Sequence, residues 1–180
     1  MIKIEMLSEK RWNHCRSVAS FSYELAKHWG VDPIKAYLAG LFHDIAREMP
    51  VEQQLKLAQN HGLSISEAEK KDPILLHGAI SAIVAQENYG INDGEILSAM
   101  EKHTLGHESM CTLDKIIFLA DKIEPLRDYK EAATLRKLAM KNLDKALLGA
   151  VESSIKYLQN HGLTPHPRTL AMKNNLYKEF

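Results

Sequence analysis

Only two cysteines occur in 180 residues, Cys15 and Cys111, and neither belongs to a CxxC pair. Two sulfurs cannot build a disulfide framework, a zinc finger or a dithiol redox centre, and such usage suits a reducing cytosol. An excess of charge is also missing, since 23 Lys and Arg balance 23 Asp and Glu. With no global basic field to hold a phosphate backbone, nucleic acid is not an expected partner. No apolar run approaches the roughly 18 residues of a membrane span. The opening MIKIEMLSEKRW carries charges throughout, unlike the apolar core of a signal peptide. No repeat, low-complexity stretch or linker divides the chain, and there is no Walker loop. The expectation is a single cytoplasmic domain over residues 1–180, large enough for one substantial core.

What the chain does contain is apolar residues recurring at three and four between frequent stop signals, the pattern of consecutive short helices and an all-α fold. Trp12, Cys15, Val18, Ala19, Ser22, Leu25, Ala26 and Trp29 form one stripe of a helix from Ser8 to Trp29, stopped by Gly30. Asp32-Pro33, an acidic cap followed by proline at the first helical position, opens a second helix that runs to near Pro50 and carries Ala36, Ala39, Gly40 and His43 on one face. Further helices are expected from Val51 to about His61, from the Asp72-Pro73 signal through Tyr89, and from Asp93 to His103. Another follows a Thr112 cap up to Pro125, and two or three more lie between Glu131 and about Asn160 and near Arg168 to Lys178.

Chemistry concentrates in the histidines. His43-Asp44 pairs an imidazole with a carboxylate at the end of AGLFHDIARE, where the apolar residues before it carry both inward; a solvated helix end is the plainer alternative. His14 sits at the edge of the first helix's buried stripe, where a core histidine satisfied by a backbone carbonyl would also fit. Asp121 follows Ile116, Ile117, Phe118, Leu119 and Ala120, so its carboxylate is expected to be buried and to need a cation or several donors. His77 and His103 stand near the start and the end of their helices, where a cleft can open. Together His14, His43, Asp44, His77, His103 and Asp121 offer six nitrogen and oxygen ligands from five helices, more than one mononuclear site needs. Mixed imidazole and carboxylate ligation suits iron, manganese or zinc better than calcium, and the lack of thiolate argues against a closed structural zinc site. His28, His61, His107, His161 and His166 fall outside this order and read as surface or capping residues, and Cys15 reads as packing.

The order H…HD…H…H…D resembles the HD-domain superfamily of metal-dependent phosphohydrolases, whose fold is a helical bundle with a metal site between helices. The runs HCRSVASFSYELAKHWGVDPIKAYLAGLFHDIARE, LLHGAISAIVAQENYGI and EKHTLGHESMCTLDKIIFLADKIEPLRDY are similar to its YqeK-type branch, the symmetrical bis(5'-nucleosyl)-tetraphosphatases, over about residues 14–129. This resemblance implies hydrolysis of diadenosine tetraphosphate and related dinucleoside polyphosphates to two ADP by a metal-activated water, with one or two iron ions. It also implies that His14, His43, Asp44 and Asp121 hold the metal, that Asp44 can bridge to a second ion, and that His77 and His103 either ligate that ion or contact phosphate. Asp44, His77 and His103 would be catalytic. Nucleotide contacts would fall to His14, Asp44, His77, His103 and Asp121, with Arg47 and Arg127 clamping phosphates and the segment Lys122, Ile123, Glu124, Pro125, Leu126 to Arg127 walling the site; Lys122 either reaches phosphate or snorkels to solvent.

Rival readings are another HD-type phosphohydrolase, such as a nucleotidase or a cyclic-dinucleotide phosphodiesterase, and a non-catalytic nucleotide or metal sensor. The phosphodiesterases carry HD followed by GYP, which this sequence lacks, and a sensor is expected to have lost a ligand. The 45% hydrophobic content is compatible with a homodimer.

Overall fold

The computed structural model describes residues 7–178; the first six residues, part of the opening read as too charged for a signal peptide, lie outside the described residues, as do the last two. Ten α-helices follow one another with no strand among the described residues: α1 (Glu9–Trp29), α2 (Pro33–Phe42), α3 (Val51–Asn60), α4 (Glu67–Lys71), α5 (His77–Tyr89), α6 (Gly94–Lys102), α7 (Thr112–Ile123), α8 (Ala132–Ala139), α9 (Leu143–Asn160) and α10 (Pro167–Tyr177). None of them is long and apolar enough to cross a membrane.

The helix ends follow local chemistry. Ser8 caps α1 by accepting from the Arg11 N–H, and Gly30 ends it in the left-handed conformation at φ 71°. Asp32 caps α2 by accepting from the N–H groups of Ile34 and Lys35, with Pro33 at the first position. Asn142 and His166 cap α9 and α10 in the same way.

Three ends depart from expectation. Helix α2 stops at Phe42, well short of Pro50, and residues 43–49 run on as tight turns in which Ile45, Arg47 and Met49 donate to the carbonyls three residues back. An α-helix would need the Ala46 N–H to reach the Phe42 carbonyl; instead it donates to the Ser81 hydroxyl of α5 at 3.1 Å, so a tertiary contact replaces the helical bond. Asp72-Pro73 opens a single 3-10 turn, Pro73–Leu76, with no side-chain cap, and α5 begins at His77. Cys111, not Thr112, is the N-cap of α7, its N–H held by the buried Asp114 carboxylate at 3.0 Å. The unforeseen α4 is polar along its length, yet Ser66 and Glu69 form a reciprocal capping box at its start.

Helix α7 is the spine. Leu113, Ile116, Ile117, Phe118, Leu119, Ala120 and Ile123 are all buried on it, and α1, α2, α6, α8 and α9 pack around it. Each such side chain stabilises the fold by roughly 1.5–3 kcal/mol on transfer from water. Close approaches set the site's geometry. A Cβ at Gly40 would lie 2.8 Å from the Ala19 Cα, so α1 and α2 touch backbone to backbone just before His43. A Cβ at Gly78 would lie 2.7 Å from the Thr104 hydroxyl and 2.9 Å from the Glu101 carbonyl, which brings His77 against His103.

Candidate metal centre

All six residues singled out by sequence meet in one buried cluster between α1, α5, α6, α7 and the turn after α2. His14, His43, Asp44, His77, His103 and Asp121 are each no more than 8% exposed. The first group of atoms comprises His14 Nε2, His43 Nε2, Asp44 Oδ2 and Asp121 Oδ1. His14 lies 3.0 Å from Asp121 and 3.9 Å from Asp44, and His43 lies 3.7 Å from Asp121 and 3.6 Å from Asp44. Ligand atoms bound about 2.0–2.2 Å from a shared ion stand roughly 3.0–3.6 Å apart, so these separations are close to those of a loaded site. The second group turns on the other oxygen of Asp44: Oδ1 lies 3.1 Å from His77 Nε2 and 3.5 Å from His103 Nε2, and the two imidazole nitrogens are 3.1 Å apart.

Hydrogen bonding makes both groups acceptors. His43 Nδ1–H donates to the Gly40 carbonyl at 2.7 Å, His103 Nδ1–H to Met100 at 2.6 Å, and His77 Nδ1–H to Ile74, each three residues back at the end of a helix or 3-10 turn. That bond selects the neutral tautomer whose Nε2 carries a lone pair. His43 Nε2 is fully buried and has no hydrogen-bond partner among the described residues. His77 and His103 point two such lone pairs at each other and at Asp44, with only the Thr104 hydroxyl nearby, 3.1 and 3.3 Å away; its single proton can serve one of them. Burial pushes His103 down to about 4, which keeps it neutral. A converging set of unserved acceptors is costly unless a cation joins it, so the residues present fit a divalent transition metal.

Fixed cations surround the carboxylates. Burial alone would raise Asp121, but Lys122, His14 and His43 outweigh it and hold the carboxyl well below the usual carboxylate range; Lys122 Nζ stands 2.7 Å from Oδ2 and Arg127 Nη2 3.1 Å from Oδ1. At Asp44 burial is likewise outweighed, by His43, His103 and His77 in their protonated forms, and the carboxyl again lies well below its ordinary value.

Other participants were missed from the sequence, as Arg11 was, or expected in another role, as Glu124 was. Arg11 donates to Asp44 Oδ2 at 2.6 Å. Glu124, 1% exposed, accepts from His14 at 3.1 Å, from Ser17 at 2.5 Å and from the Leu126 N–H at 2.6 Å, so it orients His14 and does not face a nucleotide. Ile123 is fully buried in the core and offers no wall either, whereas Pro125 and Leu126 are exposed and Lys122 and Arg127 half-exposed. Arg47 is half-buried, and its guanidinium makes no hydrogen bond or ion pair with the cluster among the described residues. The turn after α7 is fastened from α8, where Arg136 Nη1 donates to the carbonyls of Ile123, Glu124 and Arg127 at 2.8, 3.1 and 3.2 Å. Arg136→Ala is expected to cost about 2 kcal/mol, read as a melting point lower by about 4–8 °C. A melting curve within about 1 °C of the parent would show that the three carbonyls do not depend on this donor.

Residues 11–126 match the HD domain family over most of the chain's length. The chain belongs to the HD domain family. Within the family it is 35% identical to the symmetrical bis(5'-nucleosyl)-tetraphosphatase of Halalkalibacterium halodurans, over 96% of this chain and 92% of that one. To the protein of the same name from Bacillus subtilis it is 31% identical, over 94% and 91% of the two chains. A crystal structure from Clostridium acetobutylicum, described as a predicted HD superfamily hydrolase involved in NAD metabolism, superposes with a TM-score of 0.95 at 36% identity, over 98% of this chain and 94% of that one.

Proposed function

We propose that this HD-domain protein is a symmetrical bis(5'-nucleosyl)-tetraphosphatase, which hydrolyses diadenosine tetraphosphate to two ADP in a metal-dependent reaction. The observation that carries the chemistry is the convergence of three imidazole lone pairs, from His43, His77 and His103, on two carboxylates and His14 with too few donors to serve them. His14, His43, Asp44 and Asp121 would hold one ion, and Asp44, His77 and His103 a second, with iron the first choice and manganese or zinc able to occupy the same donor set. When bound, such ions draw charge from phosphoryl oxygens and make water acidic enough to supply hydroxide near neutral pH. The protein's own contribution is placement. Asp44 and Asp121 stay ionised, His43, His77 and His103 are locked by their carbonyl bonds and His14 by Glu124, and Lys122, Arg127 and Arg47 would supply positive charge for one diphosphate half of the substrate.

The two free cysteines, Cys15 buried and Cys111 exposed, fit a cytoplasmic protein. A non-catalytic sensor is the weaker reading, because all six candidate ligands are in place. The test is product analysis: chromatography after incubation with diadenosine tetraphosphate and Fe²⁺ or Mn²⁺ should give ADP alone, two per substrate. Equal ATP and AMP would reject symmetrical cleavage, and faster release of orthophosphate from mononucleotides would make the protein a nucleotidase.

A further inference from the structure

We infer that Ser81 is a positioning residue of this centre: its hydroxyl fixes the turn that aims the two oxygens of Asp44 at the two groups of ligands. On the metal-dependent reading above, Ser81 acts through Asp44 and not by contact with an ion or a phosphate.

The turn after α2 has two ways to close. Ala46 is fully buried, so its N–H must find an acceptor inside the protein. An α-helix would supply the Phe42 carbonyl four residues back, and that bond would enclose His43, Asp44 and Ile45 and set their dihedral angles. Here the Phe42 carbonyl takes the Ile45 N–H at 3.1 Å, and the Ala46 N–H goes to Ser81 Oγ on α5, also at 3.1 Å. Three-residue bonds turn the chain by about 120° and advance it about 2.0 Å per residue, against about 100° and 1.5 Å in an α-helix. The acceptor chosen at Ala46 therefore decides the direction in which the Asp44 side chain leaves the backbone.

The same helix carries one of the partners of that side chain. Ser81 lies four residues after His77, on one face of α5, and His77 Nε2 stands 3.1 Å from Asp44 Oδ1. Helix α5 thus meets the turn at two points one helical turn apart, at the Asp44 carboxylate through His77 and at the Ala46 backbone through Ser81. One contact would leave a pivot; two fix an orientation. Helix α5 packs chiefly on α6, whose end carries His103, and only thinly on α2 itself. The hydroxyl, fully buried at Ser81, is the backbone link that keeps His77 and His103 in register with His14, His43 and Asp121 across a single carboxylate.

Ser81→Ala, Ser81→Thr and Ser81→Val test this by calorimetric titration of the metal-free proteins with Mn²⁺, by melting in chelator, and by kinetics on diadenosine tetraphosphate at saturating Mn²⁺. Threonine and valine add similar bulk, so their comparison isolates the hydroxyl even where Ser81→Ala does not fold. Ser81→Ala should bind Mn²⁺ about ten- to a hundredfold more weakly, the scale of losing a group that orients a ligand. Its kcat should fall by about as much while KM moves less than about threefold, because placement and not substrate grip is lost. Ser81→Thr should bind Mn²⁺ and turn over at least about tenfold better than Ser81→Val. A Ser81→Ala protein that melts lower in chelator yet keeps Mn²⁺ affinity and kcat within about twofold of the parent would overturn the inference and leave Ser81 a packing residue; Thr and Val variants alike in both properties would overturn it too. A parent protein that binds Mn²⁺ but leaves diadenosine tetraphosphate intact would refute the proposed reaction and leave the role of Ser81 to be decided by calorimetry. A parent that binds no metal would refute both.

Discussion

Asp44→Asn should abolish both turnover and metal binding, with kcat/KM falling by at least about a thousandfold, the scale of losing one preorganised charge-stabilising group. The reason is that one carboxylate serves two groups of ligands, Oδ2 beside His14 and His43 and Oδ1 beside His77 and His103. Asparagine keeps the shape but replaces one oxygen with an NH₂ that can only donate, so one group must lose its ligand whichever way the amide turns. Elemental analysis of the purified variant should find less than half the parent's metal. Parallel substitutions at His61, which is exposed and paired with Glu87 at 3.1 Å, and at His161, exposed with Nδ1 on the Tyr157 carbonyl at 2.8 Å, should leave activity within about twofold. If Asp44→Asn and His61→Ala lost similar activity, the assignment of the centre would be wrong.

Stripping the metal with a chelator should remove all activity and lower the melting temperature by about 5–10 °C relative to protein held at a hundredfold excess of free Mn²⁺ over its Kd. The stability change follows from linkage, because an ion that binds the folded cluster and not the unfolded chain stabilises by about 2.7 kcal/mol at that excess. The unserved Nε2 lone pairs of His43, His77 and His103 make the effect asymmetric: they gain a partner on loading and have little to replace it otherwise. Readdition of Mn²⁺ should restore both properties together. Full activity in the chelated protein, with metal content verified as nil, would remove the metal from the mechanism altogether.

The residues that meet in the cluster were legible in the sequence because most carry a local signature. His43, His77 and His103 stand at helix ends marked by breakers, and Asp121 follows five apolar residues that could only be buried. Helix starts with an acidic or hydroxyl cap were readable for the same reason, as at Ser8 and Asp32. What was hidden depends on partners distant along the chain. Glu124, expected in the wall of the site, takes its role from a contact with His14 across 110 positions, and Arg11 from one with Asp44 across 33. The early end of α2 is decided by Ser81, a hydroxyl on another helix that nothing near Ala46 announces. Only α4 was available and passed over, since its Ser66 and Glu69 spacing is a capping box in plain sequence while its polar composition hides any periodicity.

Three helices, α2, α6 and α7, reach the cluster by their C-terminal ends, with His43 and His103 as the C-cap residues of the first two and Asp121 in the last turn of the third. Peptide dipoles aligned along a helix leave a partial negative charge, roughly half an elementary charge, at that end. At these three ends the main chain therefore attracts positive charge, the reverse of a Walker loop, where a helix N-terminus receives phosphate directly, while α5 brings its N-terminus to the cluster at His77. A polyphosphate approaching these ends meets repulsion from the backbone itself. The orientation of these three helices would thus favour an order of arrival, cation before anion, with a bound ion as the adaptor through which a phosphate could be held at carbonyl-rich helix ends.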